Sequence, residues 1–148
     1  MITGYYEDLN VGQEFETGGR TITESYVLQF AMLSGDWHPL HTDAEYARAN
    51  RFGAPISHGM LTLAVATGLM TLSTDSVQAF YGMDRVRFLR PVFFGDTIHL
   101  KTTITEKASV KDGSGLISVN VEVLNQRGET VMAAVMKFVV RARDLVSA

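Results

Sequence analysis

The segment from Gly59 to Ser73, GMLTLAVATGLMTLS, constrains the fold more than any other part of the chain. Its apolar residues run all round a helical projection instead of lining one stripe, so the helix they predict is buried. Its length also suits a helix better than a strand.

The second half of the chain supplies the cover. Residues 80–90 (FYGMDRVRFLR), 97–107 (TIHLKTTITEK), 115–124 (GLISVNVEVL) and 130–142 (TVMAAVMKFVVRA) are rich in β-branched residues. Val86 and Phe88 fall on one side of a strand, Arg85 and Arg87 on the other. Ile117, Val119, Val121 and Val123 likewise oppose Ser118, Asn120 and Glu122. Such alternation predicts half-buried strands. Turn signals separate them: Pro91 with Gly95-Asp96, Asp112-Gly113, and Arg127-Gly128. Strands joined by short turns pair antiparallel. The expected class is α+β, with a long central helix wrapped by an antiparallel β-sheet.

Upstream, residues 11–22 (VGQEFETGGRTI) read as a short strand with a Gly-Gly turn. Thr21 and Glu24 have capping-box spacing, and Thr23 is an equally good N-cap. From Glu24 to Ser34, Val27, Phe30, Ala31 and Leu33 share a face, which predicts an amphipathic helix ending at Gly35. Residues 35–42 (GDWHPLHT) are expected to be irregular, because Pro39 lacks an N–H and drives His38 towards an extended backbone. Thr42 and Glu45 suggest a second capping box, opening a short helix through Asn50. Residues 51–58 form a second loop.

The 148 residues, 46% of them hydrophobic, suit one domain over 1–148. A net charge of -3 argues against a nucleic-acid partner. The absence of cysteine excludes disulfides, thiolate nucleophiles and cysteine zinc sites, and fits a reducing cytoplasm. MITGYYEDLN lacks the pattern of a secretory leader, the 60–72 stretch is too short to span a bilayer, and DLVSA carries no lipidation or peroxisomal signal. A soluble, non-membrane protein is expected.

Chemistry concentrates in Gly35-Asp36-Trp37-His38-Pro39-Leu40-His41-Thr42-Asp43. Two carboxylates and two imidazoles sit in one loop between helices. An Asp and a His flanking a proline bend can activate a water, since imidazole titrates near neutrality and a carboxylate orients it. The plainer readings are that Asp36 serves a turn and Asp43 caps the next helix. A His-x-x-His metal site lacks a helix to support its spacing.

A second feature, Pro55-Ile56-Ser57-His58-Gly59-Met60, places Ser57, His58 and Gly59 at the start of the apolar helix. The first N–H groups of a helix are free and carry its positive end. They can hold an oxygen that gains negative charge. The alternative is a permissive N-cap glycine and a packing histidine. Phosphate loops, dinucleotide fingerprints and serine nucleophile elbows are not evident.

FAMLSGDWHPLHTDAEYA (Phe30 to Ala47), FGAPISHGML (Phe52 to Leu61) and RVRFLRPVFFGDTI (Arg85 to Ile98) together resemble the MaoC-like (R)-specific enoyl-CoA hydratase family. The resemblance covers nearly the whole chain. It implies a hot-dog fold, with Asp36 and His41 as the pair that adds water across a trans-2-enoyl thioester and runs the reverse dehydration. It also implies that the Gly59 N–H polarises the thioester carbonyl and that a helix hydroxyl, here Thr67, supports the site. No redox cofactor and no metal is implied. The implied partners are an acyl-CoA substrate and a second copy in a homodimer or larger homo-oligomer. The chain departs from the family in carrying His38 where Asn is usual, which makes His38 a site-shaping candidate. Arg85, Arg87, Arg90 and Lys101 are candidate cations for coenzyme A. The alternatives on the same scaffold are an acyl-CoA thioesterase and a non-catalytic acyl-CoA binding subunit.

Overall fold

A computed structural model describes residues 1–110 and 113–143. Two short strands, β1 (Glu14–Glu16) and β2 (Arg20–Thr21), lead into α1 (Glu24–Ser34), α2 (Pro39–Thr42) and α3 (Ala44–Ala49). The central helix α4 (Gly59–Leu69) is next in the chain, then β3 (Val77–Phe88), β4 (Thr97–Val110), β5 (Ser114–Leu124) and β6 (Thr130–Arg141). All strand pairs are antiparallel, in the order β1-β4-β5-β6-β3, with β2 also on β4. This is the α+β hot-dog arrangement.

The core lies between α4 and the sheet. Ile98, Leu100, Ile104, Ile117, Val121, Val123, Met132, Met136 and Phe138 are fully buried. Burying each such side chain contributes roughly 1.5–3 kcal/mol. Leu61, Thr62, Leu63 and Ala66 of α4 are buried, while Met60, Ala64 and Gly68 are exposed. Within one chain the helix is therefore covered on part of its circumference, where the sequence pattern predicted cover all round.

The helix also stops earlier than Ser73. Ile2 donates to the Thr71 carbonyl at 3.1 Å and accepts from Ser73 N–H at 2.8 Å, drawing residues 71–73 into an extended bridge. Ile2 is 1% exposed. Its burial offsets the helical turn that is given up.

The structure decides between the two candidate caps of α1 and differs from expectation at α3. Thr23, not Thr21, caps α1, its hydroxyl accepting from Tyr26 N–H at 3.2 Å; Thr21 is a strand residue bonded to Thr97. At α3 the cap is Asp43, which accepts from Glu45 and Tyr46 N–H, and Thr42 belongs to α2. Gly35 ends α1 at φ 78°, a left-handed value that costs a glycine little.

β3 and β4 are consecutive yet unpaired: β3 joins β6 at the far edge of the sheet. The segment 89–96, with its Pro91 and Gly95-Asp96 punctuation, is thus a crossover and not a hairpin. The alternation predicted for 85–88 is broken as well, because Arg85 has φ 54° inside a bulge between Asp84 and Arg87. As an edge strand, β3 leaves Phe80, Tyr81, Met83 and Phe88 exposed, with Leu89 just beyond it. Of the remaining turn signals, Gly128 has φ 75°, and Asn125 Oδ1 accepts from Arg127 and Glu129 N–H beside it. Gly113 has φ 69°, whereas Asp112 and the DLVSA terminus lie outside the described residues. No described helix is long and apolar enough to cross a membrane.

Candidate active site

Asp36 and His41 leave opposite ends of a short, locally determined segment. The expected irregular loop is in part a helix: Pro39 occupies the first position of α2, where its missing N–H costs nothing. His38 is extended as a pre-proline residue should be, at φ -54° and ψ 133°. Its side chain caps α2, Nδ1 accepting from Leu40 N–H at 3.1 Å. The histidine in the place of the family's usual Asn thus fills an N-cap position. Its own N–H donates to Asp36 Oδ1 at 3.2 Å.

One turn later His41 Nδ1 donates to the Ile56 carbonyl at 2.7 Å. A carbonyl only accepts, so the proton of neutral His41 sits on Nδ1 and Nε2 keeps a free lone pair. Burial pushes the His41 imidazole below its ordinary value. The Ile56 hydrogen bond opposes that shift; His58 and His38 add to it, and Asp36 works against it. The net result favours a neutral ring, which can take up a proton.

The second loop is fixed by the crossover. Ser57 N–H donates to the Val92 carbonyl at 2.8 Å and Ile56 pairs with Phe93. His58, 2% exposed, then opens α4 and donates from Nε2 to the Asp36 carbonyl at 2.9 Å. Its ring stacks on His41 with centroids 3.9 Å apart and planes at 27°. Asp36, His41 and His58 each bring one polar atom within 4.8 Å of the others. Three such groups could ligate a metal in principle. His41 Nδ1 and His58 Nε2, however, are already bonded to the Ile56 and Asp36 carbonyls, which leaves His41 Nε2 free to exchange a proton.

A cavity of about 280 Å³ lies against this cluster, lined among others by His41, Ser57, Gly59, Thr62, Phe88 and Arg90. No side chain caps the start of α4, so its first N–H groups remain available there. A Cβ on Gly59 would meet the Phe88 ring at 2.9 Å, which explains the glycine.

The structure gathers Asp36, His38, His41, Ser57, His58 and Gly59 around one end of α4. Thr67 lies further along the helix, where its hydroxyl donates to Ala64 O at 2.8 Å, and it is not among the cavity's lining residues. The helix hydroxyl at the cavity is Thr62, bonded to Ser57 Oγ and His58 O. Of the four candidate cations only Arg90 lines it, joined by Arg51. Lys101 lines a separate hollow with Glu14 and Glu16. Arg51 and Thr62 were not singled out in the sequence, and nothing local there places Phe52 and Phe88 at the cavity, because only the crossover and the sheet order bring them to the histidines.

The family described as MaoC like domain matches residues 8–126. Protein MaoC of Klebsiella aerogenes is 38% identical over 104 residues, spanning 70% of this chain and 31% of that protein. The (R)-specific enoyl-CoA hydratase of Rhodospirillum rubrum is 33% identical over 71% of this chain and 72% of its own. The chain therefore spans about a third of the first of these relatives and most of the second. Among solved structures, an Archaeoglobus protein described as a monoamine oxidase regulatory protein superposes with a TM-score of 0.89 at 40% identity, covering 96% of this chain and 97% of that one. A Mycobacterium tuberculosis protein described as having a double hot-dog fold gives a TM-score of 0.84 at 25% identity, over 95% of this chain and 44% of its own.

Proposed function

The chain belongs to the MaoC-like domain family, and on that footing we propose that it is an (R)-specific enoyl-CoA hydratase, or 3-hydroxyacyl-CoA dehydratase in reverse. Membership of a hydratase and dehydratase family is carried by the relatives. The finer reading rests on one observation: a neutral His41 with a free Nε2 beside the Asp36 carboxylate, at the open start of α4.

A water accepted by Asp36 and His41 attacks C3 of a trans-2-enoyl thioester. Its proton passes to His41 Nε2 as the C3–O bond forms and the double-bond electrons move towards the thioester oxygen. The Gly59 N–H and the positive end of α4 hold that oxygen. The proton on His41 then goes to C2, the carbonyl re-forms, and His41 is neutral again. The sum is one water added, with no cofactor or metal consumed. Arg51 and Arg90 at the cavity supply positive charge for the phosphates of coenzyme A.

The exposed apolar edge of β3 supports a homodimer, since an unpaired strand with Phe80 and Tyr81 in solvent is a pairing surface. Location in the cytoplasm is part of the same reading and rests on the cysteine-free sequence.

The test is the fall in ultraviolet absorbance as crotonyl-CoA is hydrated, with Asp36→Asn and His41→Ala alongside. Turnover by the parent that survives in both variants removes the mechanism. Release of free thiol without hydration would favour the thioesterase, and binding without turnover the non-catalytic subunit.

A further inference from the structure

His58 touches Asp36, His41, Ser57 and Thr62, yet neither proton transfer to or from His41 passes through it. It is almost wholly buried. Its Nε2–H holds the Asp36 main chain, and its ring lies face to face under His41. Its carbonyl accepts Thr62 N–H at 3.1 Å and starts the helix at Gly59. Phe30 of α1 closes on the ring with centroids 4.9 Å apart. One atom is left over: Nδ1 is buried and has no hydrogen-bond partner among the described residues.

A buried orphan acceptor is costly, and proteins keep few of them. The arrangement explains why this one is kept. Because Nε2 must donate to a carbonyl, the lone pair of the neutral ring falls on Nδ1, where no donor meets it. We infer that His58 is the positioning residue of the acid–base pair: one face-to-face and one edge contact fix Asp36 and His41 at the same time. The role rests on the hydratase reading for its kinetic consequences, but its structural core does not.

Two substitutions separate the contacts. His58→Phe keeps the face under His41 and removes the N–H to Asp36. His58→Gln keeps a donor for Asp36 and removes the face. The other groups that act on His41 are the Ile56 carbonyl, Asp36 before α2 and His38 at its cap, with Arg51 and Arg90 lining the same cavity, so a change in His41 is read with those left intact.

On crotonyl-CoA, each variant is expected to lose about tenfold or more in kcat while KM moves less than about threefold. In His58→Gln the His41 ring, freed from its stack, titrates closer to its ordinary value. In His58→Phe, which keeps the ring that buries it, the return is smaller. Histidine NMR reads this without any turnover. The unmodified protein gives a further check that needs no variant to fold: nitrogen shifts should show a proton on His58 Nε2.

A His58 proton on Nδ1 would overturn the inference, as would variants that keep parental kcat and His41 titration. An inactive parent protein would overturn the hydratase reading alone, because the tautomer and the His41 titration are measured independently.

Discussion

Adding a single methyl group at Gly59 tests the polarising helix start most sharply. The new Cβ would lie 2.9 Å from Phe88 Cζ and 3.0 Å from Cδ1 and Cε1. Ordinary contact begins near 3.4 Å, so the ring must retreat by about 0.5 Å. Phe88 is 50% exposed and the clash is with the far end of its side chain, so it can swing outward. The stability cost should therefore stay near 1 kcal/mol, the low end for overpacking. For a chain of this size that is a fall in Tm of roughly 2–4 °C. Activity should suffer far more. The methyl would enter the part of the cavity that Gly59 and Phe88 line, beside the α4 N–H groups, and losing one such donor costs on the order of 10²–10³ in rate. Gly59→Ala is thus expected to fold nearly normally, by melting curve, and to hydrate crotonyl-CoA at least about a hundredfold more slowly. Removing the ring as well, in Gly59→Ala with Phe88→Ala, should restore the melting temperature but not the rate. A Gly59→Ala protein with parental kcat would refute the assignment of the helix start as the oxygen's holder.

Other contacts lead to further outcomes. His38→Ala removes the cap of α2 and should lower stability by about 1 kcal/mol, whereas His38→Asn, a strong N-cap type, should match the parent in a melting scan. His41 is held below its ordinary 6.5 by burial, so the unfolded chain binds the proton more readily. Its contribution to stability is complete above that ordinary value and is lost as pH falls through the lower folded one. The acid limb of kcat/KM should accordingly lie below 6.5, and a pH–rate profile checks it. Tyr81→Glu, at the 68% exposed centre of the edge strand, should shift the protein towards monomer in light scattering and leave β5 and β6 paired.

Much of this was legible in the residues. The alternation from Ile117 to Val123 marks a strand whose odd positions are all fully buried or nearly so. Helix α1 begins and ends where its cap and Gly35 say it should. Asp36 and His41 were visible because they flank Pro39 in one short stretch, and Gly59 because it opens the apolar helix. What escaped depends on contacts distant in sequence. The end of α4 is set by Ile2, at the other end of the helical half of the chain, so local periodicity carried the helix too far. β3 reaches its partner past two intervening strands, and adjacency in sequence said nothing of that. The bulge at Arg85 defeats a period of two. Thr62 replaced Thr67 at the cavity because which face of α4 meets the loops is fixed by the crossover, not by the helix itself.

That crossover has a mechanical meaning. It starts at the β3 edge, ends where β4 begins near the opposite edge, and on the way grips Ile56 and Ser57. Ile56 in turn grips His41. A strap anchored at both margins of a twisted sheet transmits any flexing of the sheet to what it carries. Loading the free β3 margin therefore pulls, through this short chain of hydrogen bonds, on the His41 ring.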